Sequence, residues 1–512
     1  MLPPSTLDQM PDAFVQLWQQ VEDEILQDVA RRIGKMDAVT ATANWQLWRY
    51  QQTEALRNDV VKLLAKYTGK SESTIRRLLL QAATEAMERE DAIYYHYGKE
   101  PQPFEESAAL NNLLDAGARQ TCGTWQNLTA TTANTVTGAF ERTLDAAWGK
   151  VSTGAFDYKT AVKQAVDSLA DDMPMVTYPS GHKDSIEVAA RRAVLTGVNQ
   201  TAGRLQVARA DEMGVEFFET TAHGGARPSH AEWQGRCFHR GGAVDYKGKH
   251  YPDFEAATGY GTGAGLCGWN CRHTFFAVFP ELGDPPQWTQ EQLRELNARN
   301  IEWNGKKYTA YEISQMQRAR ERSVRRWKKR YLAESAAGSD TTDSAVRLKA
   351  AHQSLSEFAK ATGGRVDSAR VSVPKFGRSE ASKAGWAAKD YEKQQKDAII
   401  IENLRTAAKL PKAAVIHLES TKINVDALTF DDAHINAERK HRVSEEQAKQ
   451  YIRNAKISVS VWNGQFERYY GTEGAAYVNT IKHEIRTAYS RAEFDENTTA
   501  LIEEMKKNGI LG

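Results

Sequence analysis

The chain has 512 residues, more than one hydrophobic core accommodates, so about three or four domains or subdomains are expected. Its 67 Lys and Arg nearly balance its 66 Asp and Glu, which excludes a general nucleic-acid coat and leaves only local basic patches. No apolar run reaches the roughly 18–20 residues of a membrane helix, no signal peptide precedes the acidic start, and four cysteines are too few for a disulfide framework, so synthesis in the cytoplasm is expected.

Phe14, Leu17, Trp18, Val21, Ile25 and Val29 recur at three- and four-residue spacing and predict an amphipathic helix. Trp45, Trp48, Leu56 and Val60 continue the pattern. Ser71-Glu-Ser-Thr reads as a fresh helix start through Ile75, Leu78 and Leu79. The stretch from Gly98 to Phe104, with two prolines, breaks it. A block rich in alanine and threonine from Ala108 to Leu169 is again helical. Ser180-Gly181 opens a long helix through Ile186, Ala190, Val194, Val198 and Leu205, stopped at Gly214. Val215 to Thr221 alternates as a strand.

From Trp288 the chain becomes helical once more. Gln317 to Arg330 carries eight Lys or Arg against Glu321 alone. Ser335 to Ser344 reads as a small-residue linker, and Lys375 to Lys396 as a loose polar connection. Beyond it, Val415-Ile-His-Leu is a weak strand, and Ser444 with Gln447 forms a capping box for a helix to about Asn454. Ile457, Val459 and Val461 alternate into Asn463-Gly464, a strong hairpin signal, with Gln465 to Tyr470 as partner strand. Asp495 to Lys507 is a final helix ended by Asn508-Gly509. The last 115 or so residues therefore form an α+β domain of a size that folds alone.

The densest chemistry lies between His223 and His273. Cys237-Phe-His239 and Cys271-Arg-His273 are two C-x-H pairs, and on extended backbone residues two apart share a face. Together they offer a Cys2His2 zinc set, with Cys267, His223 and His230 as competing ligands. The other reading is a hydrogen-bonded knot in which Arg227 and Arg272 tie loops through backbone carbonyls. Gly259-Tyr-Gly261-Thr-Gly263-Ala-Gly265 leads to Trp269-Asn270-Cys271 rather than into a helix and brings no lysine, so a phosphate loop is not expected there.

The block His223, Arg227-Pro228-Ser229-His230, Trp233-Gln234-Gly235, together with Gly259 to Gly263 and Gly265 to His273, resembles phage minor capsid protein 2. That family is related to the Mu F-like head-morphogenesis proteins, whose shorter pattern is matched by Asn270 to His273. Tyr308-Thr-Ala-Tyr311-Glu and Gln315-Met-Gln317-Arg318 extend the resemblance over roughly residues 10–390. Cys237 departs from it, standing where the family commonly has an aliphatic residue, which moves the metal expectation to His230, Cys267, Cys271 and His273 with a structural zinc. The resemblance implies a minor capsid protein of the virion, inside the head near the portal. Its implied partners are portal, capsid and scaffold proteins, with packaged phage DNA against the basic segment Arg318 to Arg330.

Asp432-Ala-His434-Ile, Arg439-Lys-His441 and Ile485-Arg486-Thr487-Ala-Tyr489 resemble the phage nuclease group allied to barnase, EndoU, colicin ribonucleases and RelE. That likeness implies a toxin-like ribonuclease needing no cofactor, with RNA as substrate and an immunity protein as partner. His434 and His441 would be the acid–base pair, Arg439 or Arg486 would stabilise charge, and Thr487 and Tyr489 would donate to phosphate. The alternative is a purely structural chain whose last domain binds portal, scaffold or DNA. The expected fold is multidomain. It comprises a helical region at 1–180, a small α+β Mu F-like core at 181–285, a basic helical region with linkers at 286–394, and an α+β nuclease-like domain with an antiparallel sheet at 395–512.

Overall fold

The computed structural model describes residues 1–36, 42–153, 156–172, 175–177, 182–283 and 285–511. It is mostly helical, with several small sheets, and its internal contacts divide it into two units, Met1–Ala388 and Lys389–Gly512.

The first unit opens with α1 (Pro4–Gln9), α2 (Asp12–Gly34), α3 (Thr42–His96), α4 (Ala108–Ser152) and α5 (Tyr158–Asp172). The expected restart at Ser71 does not occur, because α3 runs unbroken through it. Ser71 is buried, donates its hydroxyl to Tyr67 O at 2.7 Å, and accepts from the Trp18 indole at 2.9 Å. A serine that satisfies itself along its own helix need not cap a new one. Strands β1 (Met175–Thr177) and β2 (Lys183–Ser185) pair antiparallel ahead of α6 (Ile186–Met213). Ser180 and Gly181, read as the start of that helix, lie outside the described residues; the helix begins at Ile186 and ends, as expected, on left-handed Gly214.

Helices α4 and α6 approach closely through a reciprocal pair of contacts. A Cβ on Gly117 would lie 2.2 Å from Thr201 Oγ1, and one on Gly197 would lie 2.3 Å from Thr121 Oγ1. Each threonine hydroxyl donates back to the glycine one turn earlier on its own helix, Thr121 to Gly117 O and Thr201 to Gly197 O. No larger residue fits at either crossing point. Around this contact a core of Phe14, Trp18, Trp125, Phe140 and Leu205 is almost wholly buried, with Trp18 and Trp125 edge-on at 4.2 Å.

After α6 come β3 (Phe217–Thr220), α7 (Pro228–Ala231), β4 (Cys237–His239), β5 (Val244–Tyr246), β6 (Lys249–Tyr251), α8 (Phe254–Thr258) and β7 (Phe275–Ala277). β3 is the centre of a three-stranded antiparallel sheet in the order β4-β3-β7. The segment from Trp288 is not simply helical. Short α9 (Gln290–Leu296) is followed by a hairpin of β8 (Ile301–Trp303) and β9 (Lys306–Tyr308) before α10 (Ala310–Ala336).

The small-residue linker shortens to residues 337–341, and α11 (Thr342–Ala361) and α12 (Ser368–Val371) follow. Lys375 to Lys396 is not a loose connection: α13 (Arg378–Ala407) occupies most of it. Its alanines, lysines, glutamates and glutamines are strong helix formers, and that propensity outweighs the lack of an apolar stripe. The basic run of α10 is folded inward as well. Arg325 pairs with Glu187, Lys329 with Glu22 at 2.7 Å and Arg330 with Asp167 at 2.6 Å, so these three cations are matched inside the unit rather than presented to DNA.

The second unit contains the end of α13, then β10 (Val415–His417), β11 (Thr429–Phe430), α14 (Glu445–Arg453), β12 (Ile457–Val461), β13 (Phe466–Tyr470), β14 (Gly474–Asn479), β15 (Glu484–Ser490) and α15 (Glu496–Lys507). The Ser444–Gln447 capping box and the hairpin at Asn463-Gly464 form as read. One six-stranded sheet has the order β10-β12-β13-β14-β15-β11, antiparallel except for the short parallel pairing of β11 with β15. One face buries Val459, Tyr470 and Tyr489 with Leu501 and Met505, the other Tyr469, Val478 and Ile485 with Tyr451 and Ile452.

Beside the α10 ion pairs, Asp23 is buried, and among the described residues neither of its carboxylate oxygens has a hydrogen-bond partner. Burial, with Glu22 nearby, pushes its carboxyl up to about 7 against the pull of Lys329. The folded chain therefore holds a proton there that the unfolded chain releases near pH 4, so stability falls as pH rises through that window to about 7. Asp23→Asn should raise the melting temperature by about 2 °C or more at pH 8, with the gain vanishing near pH 4. A gain that is the same at both pH values would contradict this.

Candidate functional site

In the first unit the site grows from the central strand β3. Past Thr220 the chain enters glycine-rich turns, and α7, started by Pro228, swings His230 into the interior at 2% exposure. The second arm, residues 259–274, has no regular structure. Gly265 is required there because a Cβ would fall 2.0 Å from Gly259 O. The glycine run thus folds back on itself as a turn, with Leu266 N donating to Thr258 O and Trp269 N to Gly263 O.

Unstructured backbone inside a protein needs partners for its polar groups, and neighbouring side chains supply them. Asn199 of α6, fully buried, donates its amide to the carbonyls of both Cys271 and His273 at 3.0 Å. Gln206, two turns along the same face of the helix, donates to Phe275 O at 2.6 Å and to Glu90 at 3.0 Å, and Glu90 accepts from Ala277 N. Thr221 and Thr274 join the two arms through N–H and hydroxyl bonds. Gln234 accepts from His223 N and faces His273 Nε2 at 3.0 Å.

These bonds converge three donor atoms. His230 Nδ1 and His273 Nδ1 are 3.3 Å apart, and Cys271 Sγ lies 3.7 Å from each. A tetrahedral zinc with Zn–N of about 2.0–2.1 Å and Zn–S of about 2.3 Å separates its ligands by about 3.3 Å (N to N) and 3.6 Å (N to S). The outer nitrogens are also placed as metal-bound histidines require: His230 Nε2 faces Ala264 O at 2.9 Å and His273 Nε2 faces Gln234 Oε1. All three residues are buried.

Burial, reinforced by His223, His230 and two arginines, holds the His273 imidazole well below its ordinary range, so it is neutral with a lone pair to offer. Burial likewise lowers His230 and raises the thiol of Cys271. His223 stacks on His273 at 4.3 Å, and its Nε2 is buried with no hydrogen-bond partner among the described residues.

Of the four expected ligands, Cys267 does not join the group. Its thiol, raised well above normal by complete burial, faces His273 O at 3.8 Å within the aromatic core. The Cys2His2 set built from both C-x-H pairs is not assembled either. Cys237 donates to Glu219, and His239 is engaged by Gly242 O and Glu216. Cys271-Arg272-His273 is also not a strand. Arg227 and Arg272 do tie loops through carbonyls, those of Trp269 and Gly225.

In the second unit the expected residues fall into two groups by contact. His434, on a π-helical turn, has Nδ1 2.7 Å from Glu438, while its backbone N donates to Asp431, which also pairs with Arg486. His441 has Nδ1 2.5 Å from Glu493 and its ring 5.6 Å from that of Tyr489, which hydrogen-bonds Tyr477 at 2.6 Å. Burial raises both tyrosine hydroxyls, so they stay protonated.

Thr487 lies in the ladder opposite Tyr477, and Arg439 is exposed. The register shifts between Tyr477 and Val478, which leaves Arg486 as the extra residue of a β-bulge. Sequence reasoning missed Asn199, Asp431, Glu438 and Glu493, whose roles depend on partners that only the fold brings near. Gln234 stood within the motif but carried no visible role.

A family model described as phage minor capsid protein 2 matches residues 2–360. A curated relative, a structural protein of Lactococcus phage LL-H, is 27% identical over 246 residues, covering 45% of this chain and 61% of the relative's length. The chain therefore spans less than two thirds of that relative. No solved structure is significantly similar.

Proposed function

The chain belongs to the phage minor capsid protein 2 family, and from that we propose that it serves inside the phage head near the portal, with a C-terminal unit that cleaves RNA without a metal. As a minor capsid protein it is a structural component of the virion. The matched span contains the whole His–Cys knot, whereas Lys389–Gly512 lies beyond it, consistent with a second role for that unit. Portal, capsid and scaffold proteins are the proposed partners of the first unit. The inward pairing of Arg325, Lys329 and Arg330 argues against α10 as a broad DNA-binding face.

One observation carries the ribonuclease reading: each candidate histidine has its Nδ1 against a carboxylate, His434 on Glu438 and His441 on Glu493. A carboxylate there fixes the ring and leaves Nε2 to move a proton, as in other carboxylate–histidine pairs. In this mechanism one imidazole takes the proton of the RNA 2′-OH, whose oxygen attacks the phosphorus. The other, protonated, gives a proton to the departing 5′ oxygen, leaving a cyclic phosphate. Arg439, or Arg486 released from Asp431, would face the charged phosphorane. A purely structural second unit has its own support, since Arg486 is already paired and the Tyr489 hydroxyl is already bonded to Tyr477.

The knot we assign as a structural zinc site with His230, Cys271 and His273 as ligands and a water in fourth place. The match of its ligand spacings to a tetrahedral ion supports this. The bound ion would clamp the two arms and keep Cys271 as thiolate.

Two tests follow. Incubated with total bacterial RNA and tRNA in EDTA, the full chain should give discrete fragments, and His441→Ala or His434→Ala should slow cleavage by about 10²-fold or more. Intact RNA with the parent would favour the structural reading, and parent-like cleavage by both variants would refute the assigned roles. Elemental analysis should find about one zinc per chain, lost in Cys271→Ser together with a lower melting temperature. A fully folded, zinc-free parent would sink the metal assignment.

A further inference from the structure

In the first unit, a cavity of about 920 Å³ is lined by eight arginines and five carboxylates. Most of the carboxylates are already matched: Arg191 holds Asp8 and Asp12, Arg325 holds Glu187, and Arg370 holds Asp367 at 2.9 Å and Asp8 at 3.4 Å. The cations left over are what distinguish the cavity. Arg227 and Arg272 reach only backbone carbonyls, and Arg318 and Arg322 have no hydrogen bond or ion pair to protein among the described residues.

Arg318 is only partly exposed, and it repels and is repelled by Arg370, Arg272 and Arg191 around the single carboxylate of Asp8. Burial and this crowding bring its guanidinium down to about 10. Like charges are not gathered around a cavity without cost, and an arriving anion offsets that cost.

We propose that this cavity binds a phosphate group, either free or at the end of a nucleic-acid strand. Arginine forks from separate elements (Arg227 and Arg272 around the signature loop, Arg318 and Arg322 in α10) suit an anion with several oxygens and more than one negative charge. A lone carboxylate is served by one fork. The cavity is of the size that ordinary small-molecule sites have. Trp269, 60% exposed, belongs to the same lining and offers a ring against which a base can stack. The arginines concerned are not zinc ligands, although His230, Cys271 and His273 line the same cavity.

The test is titration calorimetry of the full chain with inorganic pyrophosphate, with a 5′-phosphorylated single-stranded oligonucleotide, with its 5′-hydroxyl counterpart, and with oligoglutamate. Saturable binding of pyrophosphate near one per chain is expected, weakened at least tenfold in Arg318→Gln. Should that variant fail to fold, Arg318→Lys, which keeps charge but not the fork, should still weaken it several-fold. Tight binding of the phosphorylated strand over its hydroxyl counterpart would identify a strand end as the source, and pyrophosphate alone would identify a free anion. No saturable phosphate binding, parent-like binding by the Arg318 variant, or tighter binding of oligoglutamate would overturn the proposal, the last in favour of an acidic protein partner.

Discussion

The carboxamide of Asn199 is the contact on which the first unit's site depends. The stretch that carries Cys271 and His273 has no helix or strand to satisfy its backbone, and a buried carbonyl without a donor costs about 1–3 kcal/mol. One side chain answers two of those carbonyls. Gln206 and Arg209 extend the same buried polar row along α6, reaching Phe275 O, Glu90 and Asp91. The row can face the signature loop because the opposite side of α6 is locked onto α4 by the Gly117–Thr201 and Thr121–Gly197 crossings. Helix packing thus sets the position of the loop, and the loop sets the spacing of His230, Cys271 and His273.

Charge is organised by the same internal logic. A chain of net charge +1 contains a helix with a strongly basic stretch, and three of its eight cations, Arg325, Lys329 and Arg330, meet acids contributed by α6, α2 and α5. Partly buried pairs of this kind add little net stability, but removing one partner leaves an unmatched charge inside. They therefore constrain how α10 seats more than they strengthen it. Arg272 and Arg318 near Asp8 have no such match, which sets that cavity apart.

Local signals were legible in the sequence. The Ser444–Gln447 capping box, the Asn463-Gly464 hairpin, the Gly214 helix stop and the Asp495 start of the last helix each involve groups within a few residues of one another. The motif also pointed to His230, Cys271 and His273. What failed depended on distant partners or on propensity alone. Ser71 looked like a cap until Trp18, 53 residues away, supplied its donor. Lys375 to Lys396 looked loose because no apolar stripe marks an exposed helix. Cys267 looked equivalent to Cys271, but the turn set by Gly265 sends its thiol into the aromatic core. The bulge at Arg486 follows from a register that only the paired strands define.

The chain is therefore best understood as a helical unit of a phage minor capsid protein whose signature loop is held in place by α6, followed by a separate α+β unit. The most direct test of that organisation is hydrogen exchange at the amides of Thr221 and Thr274 in the parent and in Asn199→Ala, alongside the unfolding free energy. Both amides should be deeply protected in the parent. In the variant they should exchange faster together, with stability lower by about 2–4 kcal/mol. Unchanged protection and a stability within about 0.5 kcal/mol of the parent would mean that the loop holds itself and that α6 is not its support.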